Sequence, residues 1–372
     1  MVGGYSPGLA GARMKLTRPE HAPLPTPRDI LEHLDRHVIG QQDAKRAIAL
    51  AAYAHMRRAE AVRRGYDGLW RKSNILLIGP TGSGKTLLAQ HLAGVLRAPI
   101  TVADATEYTE AGYYGKDVEL MITDLYLRAG HSVEDTQRGV VFIDEVDKLA
   151  RRSQGAQNGA GARDIGGEGV QQALLKLLEG REVQVPAGAG QPWSRQESVV
   201  IDTTGILFVC AGTFTDLYGD LETRRPIGFD SGRGTGQRER RRIETKDLVA
   251  YGMLTEFLGR LPVVVELRSL TAHELERILV EPEDAVVKEF RSRLALDGVD
   301  LVVRQSAVRE IVRYALARQV GARGLRAILE EVCADVLFEA PELGSRKVVV
   351  DAAYVRRQLK RAQTTREVDA RA

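Results

Sequence analysis

Gly79-Pro80-Thr81-Gly82-Ser83-Gly84-Lys85-Thr86 follows the apolar run Ile75-Leu76-Leu77-Ile78 and precedes a helical pattern carried by Leu87, Leu88 and Leu92. The order is strand, glycine-rich loop, helix, which is the context that the spacing G-x-x-x-x-G-K-T requires for holding a polyphosphate. Glycines let successive backbone N–H groups turn inward around the phosphates, and the helix that follows adds the positive end of its dipole. Lys85 then reaches the β- and γ-phosphates, and the Thr86 hydroxyl is placed to ligand Mg²⁺.

Further along, Gly139-Val140-Val141-Phe142-Ile143-Asp144-Glu145 is a hydrophobic run that closes on two carboxylates. A buried parallel strand ending this way delivers both acids to the carboxyl edge of the sheet, where α/β folds bind ligands. Asp144 is the candidate for the Mg²⁺ shell, and Glu145 for orienting and deprotonating an attacking water. A third apolar run, Gly205 to Cys210, reads as another strand, with Thr213 just past it; there a polar side chain could sense the γ-phosphate, but the bare residue reads as structural.

Composition narrows the function classes. The chain has 372 residues, enough for about two domains. Its 53 Lys and Arg against 50 Asp and Glu leave a formal charge of +3, so nothing global argues for a nucleic-acid or membrane-surface protein. No run approaches a membrane span and the N-terminus lacks the apolar core of a signal peptide, so the cytoplasm is the expected compartment. The two cysteines, Cys210 and Cys333, stand far apart in apolar runs and read as packed thiols; with no C-x-x-C pair, no zinc site is expected.

The remaining segments sort by pattern. Residues 1–27 are rich in Gly, Pro and Ala and read as a flexible arm. Val38-Ile39 reads, in isolation, as core packing ahead of a helix spaced by Ala44, Ala47, Ile48 and Ala51. Ala111-Gly112-Tyr113-Tyr114-Gly115 reads as a strand-to-helix turn with incidental aromatics. A helix with Val170, Ala173, Leu174, Leu177 and Leu178 on one face follows a Gly/Ala/Gln-rich loop. Ile227-Gly228-Phe229 lies in a polar, arginine-rich stretch, so it is either a satellite anchor within the protein or a plug for a partner's pocket. Gly259-Arg260-Leu261-Pro262 ends the first domain. In the second, Thr271 and Glu274 have capping-box spacing. A helix follows Gly321-Ala322-Arg323, with Pro341 just beyond its end. Arg323 in its first turn opposes the helix dipole, which calls for a compensating anion. The domains expected are thus 28–263 and 264–362, with a frayed tail at 363–372.

Taken together, these motifs resemble the ClpX family of AAA+ protein-unfolding ATPases over roughly Arg28 to Arg361. The matching words are VIGQ at Val38 to Gln41, GPTGSGKT at Gly79 to Thr86, ADATEYTEAGYYG at Ala103 to Gly115, FIDEVDK at Phe142 to Lys148, GEGVQQALLKLLEG at Gly167 to Gly180, EFLGRLP at Glu256 to Pro262 and GARGLR at Gly321 to Arg326. The resemblance implies an α/β fold: a P-loop NTPase with a large parallel-sheet domain and a smaller, mostly helical α+β domain. It implies ATP with Mg²⁺ held by Val38, Ile39, Gly79, Pro80, Thr81, Gly82, Ser83, Gly84, Lys85, Thr86, Leu87, Asp144 and Arg323. Arg260 would be an arginine finger supplied to a neighbouring subunit, and Arg323 the sensor arginine for its own. Tyr113 and Tyr114 would grip an extended polypeptide in a central pore, and Ile227, Gly228 and Phe229 would dock into the peptidase ClpP.

The implied activity is that of a homo-hexameric ring that unfolds tagged proteins and threads them to ClpP. A remodelling chaperone without a peptidase shares every ATPase residue and is the alternative. A nucleic-acid motor is disfavoured by the near-neutral charge. A non-hydrolysing switch is disfavoured by the intact set of Lys85, Asp144, Glu145 and Arg260. The chain departs from the family at Gly188 to Arg195, where a basic, histidine-containing loop is usual, and at Tyr114, where a smaller residue is usual. With only two cysteines in the sequence, the family's N-terminal four-cysteine module is not expected here.

Overall fold

The four apolar residues Ile75–Ile78 form the strand on which the large domain is built, hydrogen-bonded in parallel on both sides and buried on both faces. The computed structural model describes residues 24–66, 72–109, 116–151, 167–186, 198–215, 217, 242–344 and 346–369. Its helices are α1 (Pro27–His37), α2 (Gln42–Arg63), α3 (Lys85–Leu96), α4 (Leu120–Arg128), α5 (Val133–Gln137), α6 (Gly167–Glu179), α7 (Thr245–Tyr251), α8 (Thr255–Gly259), α9 (Ala272–Val280), α10 (Val286–Leu296), α11 (Gln305–Ala317), α12 (Arg323–Leu343) and α13 (Ala352–Asp369). Its strands are β1 (Ile75–Ile78), β2 (Ile100–Asp104), β3 (Val140–Asp144), β4 (Glu182–Pro186), β5 (Ser198–Asp202), β6 (Leu207–Gly212), β7 (Val263–Glu266), β8 (Val299–Val303) and β9 (Arg346–Val350).

Five strands make one parallel sheet in the order β2-β3-β6-β1-β7. Alternation along the strands splits its residues between two cores. Ile75, Leu77, Phe142 and Val209 face α1, α2 and α3, while Leu76, Ile78, Val141, Ile143, Phe208 and Cys210 face α4, α6 and α8. The fold is the α/β P-loop architecture expected from the sequence. β4 and β5 pair as a separate antiparallel ribbon, and a third core, built from α9 to α13 with the parallel pair β8–β9, forms the smaller C-terminal domain.

Several boundaries differ from the sequence reading. The strand expected at Gly205 to Cys210 runs instead over Leu207–Gly212, because Thr203–Gly205 closes a short 3₁₀ turn capped by Asp202. β7 pairs with β1 through Val263 to Glu266, and Leu267 is buried in the same core, so the large domain continues past residue 263. Pro341 lies inside α12, not beyond it, although it offers no N–H to the helix, and the preceding Ala340 is buried in the small-domain core. α13 continues to Asp369, beyond the expected fraying point at Gln363. Most of the N-terminal arm lies outside the described residues, and α1 opens at Pro27 with Thr26 and Asp29 forming a reciprocal capping box. Among the described residues, no helix is long and apolar enough to cross a membrane.

Cys210 and Cys333 are fully buried free thiols, as the apolar flanks suggest, and burial pushes both up to about 12. Thiolate is the reactive species. A thiol reagent at pH 8 is therefore expected to label neither residue in the native protein over the time in which it labels both in denaturant; rapid labelling of the folded chain would contradict the packing.

Candidate nucleotide-binding site

The loop between β1 and α3 sits where the strand order places it, at the carboxyl edge of the sheet. Gly84 is the N-cap of α3 with φ of 100°, in the left-handed region that favours glycine, and no side chain caps the helix. Gly79 is required by close approach: a Cβ there would lie 2.8 Å from the Leu267 carbonyl oxygen. Lys85 is buried and donates to the loop's own carbonyls, Gly79 at 2.6 Å and Pro80 at 3.1 Å. The Ser83 hydroxyl is buried with no hydrogen-bond partner among the described residues. An uncapped helix N-terminus, an orphaned hydroxyl and an ammonium folded back onto its own loop fit an anion of several phosphates.

The strand ends bring the second half of the site alongside. Asp144 closes β3, and its Oδ2 stands 3.4 Å from the Thr86 hydroxyl, the arrangement expected of two groups that share a hydrated Mg²⁺. Glu145 follows in the left-handed region, φ 59°, with its side chain exposed toward solvent. Burial lowers the Lys85 ammonium below the ordinary lysine value; Asp144, Asp147 and Glu145 oppose this, and Arg323 adds to it. Thr213, past β6, donates to Asp147 Oδ2 at 2.9 Å and so braces a buried carboxylate. This agrees with its structural reading.

The small domain closes the site from the other side. Gly321 and Ala322, just before α12, pack against the loop: a Cβ on Gly82 would lie 3.2 Å from the Ala322 nitrogen, and one on Gly321 3.5 Å from the Thr81 carbonyl oxygen. Arg323 is the first residue of α12 and interacts electrostatically with Lys85. The cation that opposes its own helix dipole thus lies within electrostatic range of the phosphate cradle. Val38 and Ile39 are buried where α1 turns into α2, with Val38 in the core beneath the loop. Leu87 is partly exposed on α3.

Arg260 lies at the opposite end of the sheet. Its carbonyl accepts from Asn74, the residue before β1, and its guanidinium pairs with Glu179 at 2.9 Å. Between Asn74 and Gly79 stands all of β1, roughly 13 Å at about 3.3 Å per residue. Tyr113, Tyr114, Ile227, Gly228 and Phe229 lie outside the described residues.

Two groups to which the sequence reading gave no part in the site hold these parts together. Gln41, the last letter of VIGQ, is buried in a left-handed conformation; its amide donates to the Ser83 and Arg268 carbonyls at 3.4 and 2.7 Å and accepts from the Arg268 N–H at 3.1 Å. It joins the turn after α1, the phosphate loop and the segment leading to the small domain. Glu274 both completes the capping box of α9 and accepts the forked guanidinium of Arg268. Hydrogen bonds from Arg268, ahead of those from Thr271, hold its carboxyl down to about 2. The capping-box spacing was visible in the sequence; the arginine partner was not.

Comparison with known proteins agrees with this geometry. Residues 71–264 match the family described as AAA domain (Cdc48 subfamily), and residues 270–351 match the C-terminal, D2-small domain of ClpB protein. The chain is an ATPase of the AAA+ class. It is 42% identical over 342 residues, 88% of its length and 80% of the relative's, to the ATP-dependent Clp protease ATP-binding subunit ClpX of Treponema denticola, and 42% identical over 334 residues, 88% and 77%, to the protein of the same name from Borrelia duttonii. It belongs to the ClpX family.

The Arg268–Glu274 pair makes a pH test available. A carboxyl whose folded value is about 2, against an ordinary 4.5, contributes stability that is fully present above 4.5 and is lost as the pH falls toward 2. Glu274→Gln is expected to lower the melting temperature by a few degrees at pH 7, with the difference from the parent shrinking below pH 4.5. An unchanged melting temperature at pH 7 would show that the pair does not hold the domains.

Proposed function

We propose that the chain is an ATP-driven protein unfoldase and translocase that works in the cytoplasm as a homo-hexameric ring and delivers polypeptide to the peptidase ClpP. The observation that carries this reading is the placement of the two arginines. Arg323 faces the chain's own phosphate loop, whereas Arg260 is at the other edge of the sheet, beyond the reach of an arginine side chain from its own site. A site that needs both is complete only when a neighbour supplies Arg260, which favours a closed ring. The printed name of the relatives, ATP-binding subunit of the Clp protease, supports the peptidase as partner.

In this reading the backbone of Gly79 to Gly84 and the Lys85 ammonium hold the triphosphate, with Thr86 and Asp144 positioned for Mg²⁺. Bound with ATP, Mg²⁺ neutralises charge on the phosphates being separated. Glu145 takes a proton from the attacking water and orients it. The neighbour's Arg260 stabilises charge that develops as the terminal phosphate leaves, and Arg323 couples that charge to the small domain. Rotation about the Leu267–Leu270 segment then moves the pore tyrosines, Tyr113 and Tyr114, and aromatic rings suit a grip that must accept any sequence. Ile227, Gly228 and Phe229 dock the ring on ClpP.

Glu145→Gln is expected to bind ATP as the parent does and to lower turnover at least 100-fold. Arg260→Ala is expected to lower it by about 10³-fold or more while retaining nucleotide. Full hydrolysis by a chain that sedimentation shows to be monomeric at saturating ATP would overturn the shared site. Phe229→Ala should keep ATPase activity and unfolding of a tagged fluorescent reporter but stop its degradation when ClpP is added; degradation at the parent rate would remove the docking assignment.

A further inference from the structure

Away from the nucleotide, α1 and α3 lie side by side and bring three imidazoles together. His33 and His37 are one helical turn apart on α1, so they share a face, and His91 of α3 meets them there. The ring centroids of His37 and His91 are 4.1 Å apart and nearly parallel, and His33 lies 4.9 Å from His37 and 6.0 Å from His91. One donor nitrogen from each ring falls within 4.8 Å of the others. These are three groups that each present a nitrogen donor to one small volume.

The small domain supplies a carboxylate to the same place. Asp284, in the turn between α9 and α10, has Oδ1 3.3 Å from His37 Nδ1 and Oδ2 3.7 Å from His91 Nε2. The turn is held there because the Glu283 N–H donates to the Arg36 carbonyl at 3.4 Å, and the Glu283 carboxylate reaches the Arg36 guanidinium at 3.9 Å. Glu283 Oε2 also lies 4.0 Å from His37 Nε2, and Arg36 Nη2 3.5 Å from His33 Nδ1, so Asp284 is the carboxylate nearest to both His37 and His91. The His37 and His91 side chains are 13% and 18% exposed, which shelters the cluster yet leaves an entry path.

We propose that His33, His37, His91 and Asp284 form a zinc-binding site that bridges the large and small domains. Three imidazole nitrogens and one carboxylate oxygen are a four-coordinate donor set of the kind zinc takes, with nitrogen ligands at ~2.0–2.1 Å. The donors of one tetrahedral ion lie about 3–3.5 Å apart; the Asp284–His37 spacing of 3.3 Å is already in that range, and the three imidazole donors, now within 4.8 Å, would draw closer on binding. The H-x-x-x-H spacing on α1 was the one signal in the sequence; His91 and Asp284 join it only through the packing of α3 and the small domain. Since ligands come from both domains, an occupied site fixes their relative position at a point distant from the phosphate loop.

The test uses the full chain without an affinity tag or nucleotide, titrated with Zn²⁺ against a chromophoric chelator and, separately, with Co²⁺ followed by its visible absorption. One ion per chain with the intense bands of four-coordinate Co²⁺ is expected. His37→Gln and His91→Gln should each weaken Zn²⁺ binding at least tenfold, Asp284→Asn should weaken it and alter the Co²⁺ spectrum, and His273→Gln, an exposed histidine elsewhere, should leave it unchanged. The melting temperature of each zinc-free variant reports its folding, and zinc should raise it in the parent and in His273→Gln but not in His37→Gln. Failure of the parent to bind one ion, or equal affinity in parent, His37→Gln and His91→Gln, overturns the site. Equal affinity and spectrum in Asp284→Asn overturns the bridge between domains.

Discussion

The parallel pairing of β1 between β6 and β7 is the constraint on which the rest depends. Parallel strands all end on the same edge, so the residues after β1, β3 and β6 must meet there: the phosphate loop, Asp144 with Glu145, and Thr213 braced on Asp147. The same direction sends the residues before β1 to the far edge, where Asn74 joins the Arg260 and Leu178 carbonyls and accepts from the Phe208 N–H. One sheet thus separates the two arginines of the ATPase. That separation is what the proposed shared site rests on.

A second arrangement ties the binding site to the small domain. The segment after β7 passes close under the phosphate loop, at Gly79, and is then tied to α1 and α2 by Gln41 and to α9 by the Arg268–Glu274 pair. The contacts between the domains in this region are polar and local rather than one continuous core, since the small domain has its own apolar cluster. Such joints are directional, and they change register more readily than interdigitated aliphatic side chains do. The histidine cluster adds a second point of contact between the same two bodies.

Much of this was legible in the chain. The strand, loop and helix around Gly84 and the strand that closes on Asp144 are local patterns, in which apolar runs and glycines act over a few residues. The face of α6 and the Thr271–Glu274 box belong to the same class. Less legible were features whose partner is distant. Leu207–Gly212 starts later than its apolar run because Thr203–Gly205 forms a turn. Val263–Glu266 is a strand because β1 offers it an open edge. Pro341 lies within α12, and the preceding residue, Ala340, packs in the small-domain core.

By itself the sequence determined the class of site: spacing of glycines, Lys85, Thr86, Asp144 and Glu145 dictates phosphate chemistry wherever a strand precedes the loop, since those groups act within one or two turns of backbone. The tertiary structure alone decided which groups serve that site from afar. Gln41 spans 227 residues to reach Arg268, and His91 and Asp284 meet from different domains. The reason is physical. Hydrogen bonds and metal ligation act over a few ångströms in space, and the chain's order does not record which distant residues packing will bring that close.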